Sequence, residues 1–234
     1  LSYTLEEVEA SLRATQIDIK SLRQSGLTSS LRATVSWDTR NNRLFPSKGQ
    51  FTTLSLEHAA NWLGSENAFT RFVGRTRFYF PLPLDLVFKT NLTFGYVFSG
   101  DGDPIPLFER FFVGGIYTVR GYERNSIGEK LFLTATPDGT LQPITIGGDK
   151  QLIFNAELEM PLFKKLRIRG VLFFDAGKAW GVRDDIDFAL RMAVGFGIRW
   201  HSPVGPLRFE WGIPLNRLPG EEPLVFEFTI GNSF

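Results

Sequence analysis

From Phe188 to Trp200 every even position is apolar: Phe188, Leu190, Met192, Val194, Phe196, Ile198 and Trp200. The odd positions, Ala189, Arg191, Ala193, Gly195, Gly197 and Arg199, are small or cationic. In a chain that is 43% hydrophobic, seven apolar hits in a row on one face have a chance of roughly 0.3%, so the segment reads as a period-two strand. The pattern recurs from Leu86 to Phe98, where Leu86, Phe88, Leu92, Phe94, Tyr96 and Phe98 oppose Lys89, Asn91, Thr93 and Gly95. Between Thr70 and Phe80, Phe72, Phe78 and Phe80 oppose Arg71, Arg75, Arg77 and Tyr79, and three arginines on one strand face need a polar interior. Leu152 to Leu162 sets Leu152, Phe154, Ala156, Leu158, Met160 and Leu162 against Gln151, Asn155, Glu157 and Glu159. Leu166 to Ala176 sets Leu166, Ile168, Leu172 and Phe174 against Arg167, Arg169 and Asp175. Weaker strands are read at Leu31 to Trp37, Phe51 to Ala60, Leu207 to Ile213 and Leu224 to Phe234, with a truncated one near Leu1 to Val8. The total is about ten strands of about 9–13 residues, the length that crosses a bilayer at a tilt.

The connections alternate in length. Short ones fall at Thr39 to Gly49, Pro81 to Asp85, Pro161 to Lys165 and His201 to Pro206; long ones at Ala14 to Gly26, Asn61 to Ala68, Ser99 to Gly148, Gly181 to Asp187 and Pro214 to Pro223. Short turns at one end and long loops at the other are the habit of an up-and-down barrel in an outer membrane. A soluble sandwich or lipocalin-like barrel is also built from alternating strands, and alternation alone cannot say which face turns inward. The wide, Phe-rich face with aromatics at strand ends (Trp37, Phe80, Phe98, Trp180, Trp200 and Trp211) favours the membrane barrel, because it matches interfacial girdles.

Composition narrows the chemistry. The 234 residues hold 26 Lys+Arg against 25 Asp+Glu, so net charge offers no reason to expect nucleic acid. With no cysteine and only two histidines, His58 and His201, the chain lacks thiolate metal sites, cysteine nucleophiles and a plausible triad. No metal, cofactor or enzymatic role is expected. No apolar run is long enough for a membrane-spanning helix. The chain begins at Leu1 with neither an initiator Met nor a signal peptide, and is read as a fragment.

Residues 99–148 form a connection far beyond the usual loop length, and such loops are generally functional or disordered. This one contains PLFERFFVGGIYTVRGYERNSIGEK, dense in aromatics, glycines and charge, so it is expected to be ordered and packed inside a polar lumen. The run Phe111 to Gly128, with its Val119-Arg120-Gly121-Tyr122 tetrapeptide, resembles the lumen loop of the BamA-type outer-membrane assembly proteins. Two further segments carry the resemblance: FFDAGKAWG at Phe173 to Gly181, and HSPVGPLRFEWGIPL at His201 to Leu215, with the terminal strand FEFTIGNSF after them. The resemblance implies a sixteen-stranded transmembrane antiparallel barrel behind periplasmic POTRA repeats, with this chain holding the C-terminal ten or so strands. It implies that Arg120 engages Asp175, with Phe173 alongside and Glu159 as a second acceptor. It also implies that the last strand, with Phe226, Phe228, Ile230, Gly231 and Phe234, forms a lateral gate.

The residues agree with parts of this by themselves. A guanidinium entering a lumen needs a carboxylate partner, Gly121 permits a tight turn or close approach beside it, and Gly231 interrupts the final strand's alternation. Arg71, Arg75 and Arg77 are expected to pair with Glu157, Glu159 and loop acids rather than to line an anion channel. Gly147-Gly148-Asp149-Lys150 lacks phosphate-loop spacing, the Asn91-Leu92-Thr93 sequon sits inside a strand, and Asp101 with Asp103 makes a weak calcium signal. The function expected is non-enzymatic assembly and insertion of other β-barrels into an outer membrane. Its partners would be the bilayer, unfolded barrel clients and accessory lipoproteins that contact mainly the POTRA modules. The alternatives are a two-partner-secretion or TamA-like translocation pore, and a passive porin.

Overall fold

The structure is a computed structural model that describes residues 27–100, 105–134, 141–181, 184–202 and 205–231. Nine strands make one antiparallel sheet: β1 (Ser30–Asp38), β2 (Gly49–Ala59), β3 (Phe69–Pro81), β4 (Val87–Phe98), β7 (Lys150–Phe163), β8 (Ile168–Trp180), β9 (Arg191–Ser202), β10 (Gly205–Pro214) and β11 (Val225–Ile230). They follow chain order, β1-β2-β3-β4-β7-β8-β9-β10-β11, so every pairing is a meander step. The remaining two, β5 (Glu129–Thr134) and β6 (Leu141–Gly147), form a separate hairpin inside the long connection between β4 and β7. The tenth main strand, expected near Leu1 to Val8, lies outside the described residues, as do the long connection at 14–26, Asp101, Asp103 and Phe234.

Which face turns outward is settled by burial. Along β4 the residues alternate without a break: Val87, Lys89, Asn91, Thr93 and Val97 are buried, while Phe88, Leu92, Phe94, Tyr96 and Phe98 are exposed. The same inversion holds on β8, β9 and β11, where Leu172, Phe196, Ile198, Phe226, Phe228 and Ile230 face out. A soluble sandwich buries its apolar face. A continuous exposed band of Phe, Leu and Ile over a charged interior is stable only against hydrocarbon. No helix among the described residues is long and apolar enough to cross a membrane; the strands do the crossing.

The described parts of the connection between β4 and β7, residues 105–134 and 141–149, lie against the polar face. That segment touches β3 through Arg71 and Glu109, β4 through Phe111 against Gly95, and β11 through Tyr117 and Thr229. At the short-turn end, Phe45 from the β1–β2 connection stacks on His201 of β9, ring centroids 3.8 Å apart.

Four local expectations need correction. The ninth strand starts at Arg191 and not at Phe188, because Leu190 N–H bonds back to Phe188 C=O (2.8 Å) and turns the chain before the ladder begins. Ile168 opens β8, since Lys164–Leu166 form a 3-10 turn that ends on a left-handed Arg167, and the strand then runs on to Trp180. Trp180 is not a girdle residue: it is buried beneath the β8–β9 connection and donates its indole N–H to Asp187. The loop at 99–148 contains a hairpin whose sequence signal was Pro137-Asp138-Gly139 between two apolar runs.

Candidate functional site

Strand register assembles the site. Asp175 on β8 sits opposite Asn155 on β7 and Ala193 on β9; Glu157 sits opposite Phe173; Gly197 sits opposite Glu210 on β10. Because side chains alternate, Asn155, Glu157, Phe173, Asp175, Arg199, Arg208 and Glu210 all project to the inner face. Gly195 and Gly197 leave the room. A Cβ at Gly195 would overlap the Phe173 ring, and one at Gly197 would lie 2.8 Å from Glu210 Cγ. The small positions of β9 are therefore a trough in which large neighbouring side chains lie flat.

Arg120 enters this trough from the loop and is 2% exposed. Its Nε and Nη2 donate to the two oxygens of Asp175, each at 2.7 Å, and its backbone N–H donates to Asp175 at 3.0 Å. Its Nη1 donates to Glu157 (2.5 Å) and Glu210 (2.9 Å), and the guanidinium lies 3.6 Å over the Phe173 ring centroid. Asn155 fixes the acceptor by donating to Asp175 (2.8 Å) and to Thr118 C=O (2.7 Å). Arg199 bridges Glu157 (2.6 Å) and Glu210 (2.8 Å), and Arg208 donates to both oxygens of Glu210 (2.8 Å each). Three guanidiniums and three carboxylates thus share one buried cluster. Such a cluster tolerates desolvation only because the charges balance and the forks are bidentate.

Glu159 is not an acceptor for Arg120. It pairs with Lys89 (2.5 Å) and with Arg169, because it lies two residues beyond Glu157 along β7, about 6.6 Å toward the short-turn end. The acceptors that the pattern understated are Glu157 and Glu210. Glu157 already stood on the correct face, and Glu210 was legible only as the acidic member of Arg208-Phe209-Glu210. Arg75 and Arg77 also depart from expectation: they donate to Thr93 and Asn91, because β4 stands between them and the β7 carboxylates. Arg71 pairs with Glu57 and with the loop acid Glu109.

The rest of the tetrapeptide is packed as tightly. Val119 is fully buried, and its Cγ2 sits where a Gly177 Cβ would be, 2.8 Å away. Gly121 has φ +88°, and its backbone lies on that of Gly212 in β10, so neither glycine has room for a side chain. Tyr122 Oη donates toward Asn216 Oδ1 (2.7 Å) and Met192 C=O (2.8 Å), and Arg191, paired with Glu221, covers its ring at 4.7 Å. Burial pushes the phenol up, which keeps it a donor. Tyr122→Phe is expected to cost about 1 kcal/mol and to loosen the β10–β11 connection, read as faster proteolysis at 215–224. On the terminal strand, Phe226 packs on Trp211 and Phe228 on Phe209, with Ile230 exposed beside them. Gly231 takes φ +126° while its N–H still bonds Pro206 C=O at 2.8 Å.

The whole of residues 1–234 matches the Omp85 superfamily domain. The chain belongs to the Omp85 superfamily. It is 30% identical to the outer membrane protein assembly factor BamA of Neisseria meningitidis over 87% of its own length, and 30% identical to that of Nitratidesulfovibrio vulgaris over 92%. A murine sorting and assembly machinery component 50 homolog is 32% identical over 45% of the chain. The chain spans about 28% and 27% of the two bacterial relatives. The crystal structure of BamA from Haemophilus ducreyi lacking POTRA domains 1-3 superposes with a TM-score of 0.79 over 93% of this chain and 47% of that one, at 23% identity, which shows the shared fold. This non-enzymatic Omp85 chain therefore supplies an antiparallel sheet that matches part of a transmembrane barrel, of the kind found in the outer membranes of bacteria and mitochondria.

Proposed function

We propose that this Omp85 chain is the C-terminal barrel part of an assembly factor in the outer membrane of a Gram-negative-type bacterium. Its task is to insert other β-barrel proteins. In this reading the polar face is a lumen, residues 99–148 are its loop, and the Arg120–Asp175 contact over Phe173 anchors that loop. The terminal strand, with Phe226, Phe228, Ile230 and Gly231, is a lateral gate where an unfolded client adds a strand by edge pairing. The surrounding bilayer is one partner, and accessory lipoproteins join through modules outside this chain.

The observation that carries the reading is a firmly docked inner loop beside a weak edge. The inner cluster is fully buried and paired, whereas among the described residues β11 is six residues long and pairs with β10 alone, itself ten residues long. Insertion by edge pairing needs no nucleotide, consistent with the family.

Reconstitution of the full-length parent protein in liposomes tests this, with client folding followed by heat-modifiable electrophoretic mobility. Client barrels are expected to fold at least tenfold faster than in empty liposomes. If client folding is unaccelerated while the same liposomes release a secreted polypeptide, the translocation pore becomes the correct reading.

A further inference from the structure

Besides Arg120, the loop makes a second set of contacts that the anchoring role leaves unused. Its segment 114–118 is a tight turn: Gly115 N–H bonds Val119 C=O (3.1 Å), Thr118 N–H bonds Gly115 C=O (2.9 Å), and Thr118 Oγ1 accepts from Gly114 N–H (2.8 Å). This turn faces the inner side of β11, the strand at the sheet's edge among the described residues. Tyr117 Oη and Thr229 Oγ1 are 2.9 Å apart across 112 residues of chain. The Glu227 carboxylate lies beside the backbone N–H of Ile116, and a Cβ on Gly115 would lie 3.5 Å from Glu227 Oε1. The other oxygen, Glu227 Oε2, is buried with no hydrogen-bond partner among the described residues.

We infer that the 115–118 turn is a latch that positions β11, with Tyr117 and Glu227 as its positioning residues. The argument is one of balance. An edge strand has hydrogen-bond partners along one side only and is the element most free to peel away. Here that strand borrows its second support from the inner side of the sheet, through the Tyr117–Thr229 contact and the Glu227 carboxylate beside a turn that Arg120 holds two to five residues away. Docking of the loop and ordering of the edge are thereby one event. Glu227 makes the attachment adjustable: a half-buried carboxylate with one buried oxygen left unpaired gains little from staying where it is. A client strand that pairs with β11 has, among the described residues, these contacts to break on the inner face. That consequence rests on the insertase reading, whereas the latch itself does not.

The test is hydrogen–deuterium exchange of the full-length protein in lipid nanodiscs, for wild type, Tyr117→Phe, Thr229→Val, Thr229→Ser and Tyr117→Phe/Glu227→Ala. Amides at 225–230 are expected to exchange several-fold faster in Tyr117→Phe and Thr229→Val and at least tenfold faster in the double variant. Exchange in β8 should stay at the wild-type rate, and Thr229→Ser, which keeps the hydroxyl, should behave as wild type. Unchanged exchange at 225–230 in the double variant would overturn the latch. So would an equal rise in every strand, which would mean a general loss of stability. Client folding by the same variants is measured separately: an intact latch effect without any client folding would overturn the insertase reading and leave the latch standing.

Discussion

Replacing Arg120 with Ala in the full-length protein is expected to destabilise the barrel by about 3–5 kcal/mol and to abolish client insertion. The guanidinium serves Asp175, Glu157 and Glu210 at once, so its removal leaves Glu157 and Glu210 to Arg199 and Arg208 and leaves Asp175 with the Asn155 amide. Arg120→Lys keeps the charge but not the fork and should recover only part of the loss. The informative variant is the exchange Arg120→Glu with Asp175→Arg. Were this a simple pair, exchange would restore it. Here a glutamate at 120 meets Glu157 and Glu210, whose oxygens lie 2.5 and 2.9 Å from the present Nη1, so the double variant is expected to be no better than either single one. Unfolding midpoints of the lipid-embedded protein and protease access at 114–128 check both statements. A double variant of wild-type stability would reduce the site to an isolated ion pair.

Gly212→Val is expected to expel the loop without damaging the strand that carries the change. Valine suits a β-strand, and Gly212 has an ordinary strand partner in Gly195. Its missing Cβ is where Gly121 N–H and Cα now sit. Backbone cannot move aside as a flexible side chain does, so the clash is relieved only by lifting the tetrapeptide, which pulls Arg120 from its carboxylates. The overpacking cost is about 1–3 kcal/mol, to which the exposed cluster adds. Protease cleavage near 114–128 should rise at least tenfold, with the heat-modifiable mobility of the barrel retained. If cleavage stays at the wild-type level, the loop reaches its site without this backbone contact.

Much of this was legible before any fold was built. The β4 and β9 alternations fall on the observed strands to within a few residues, since period two is a local property of the backbone. The short–long parity of the connections breaks at β1–β2, whose ten residues match the length of the connections at the opposite end. Arg120, Asp175 and Phe173 were named through a resemblance, and the fold places Arg120 2.7 Å from Asp175 and over the Phe173 ring. Glu159 was misplaced as an acceptor because sequence supplies the face of a strand but not the height at which a loop enters. Glu210 went unassigned because its role depends on the register between β9 and β10, which puts it across from Gly197.

By itself, then, the sequence determined the strands, their faces, the unusual loop and the absence of thiol chemistry, because each follows from residue type and spacing along one chain. Tertiary structure alone decided three things. It turned the apolar face outward, a choice to which alternation is blind. It joined Glu157, Glu210, Arg199 and Arg208 around Arg120, because the match of charges is made only when four strands close to hydrogen-bond register. And it brought Tyr117 to Thr229, 112 residues away, since a loop that folds back over a sheet can reach any strand, and only the curvature of that sheet selects which.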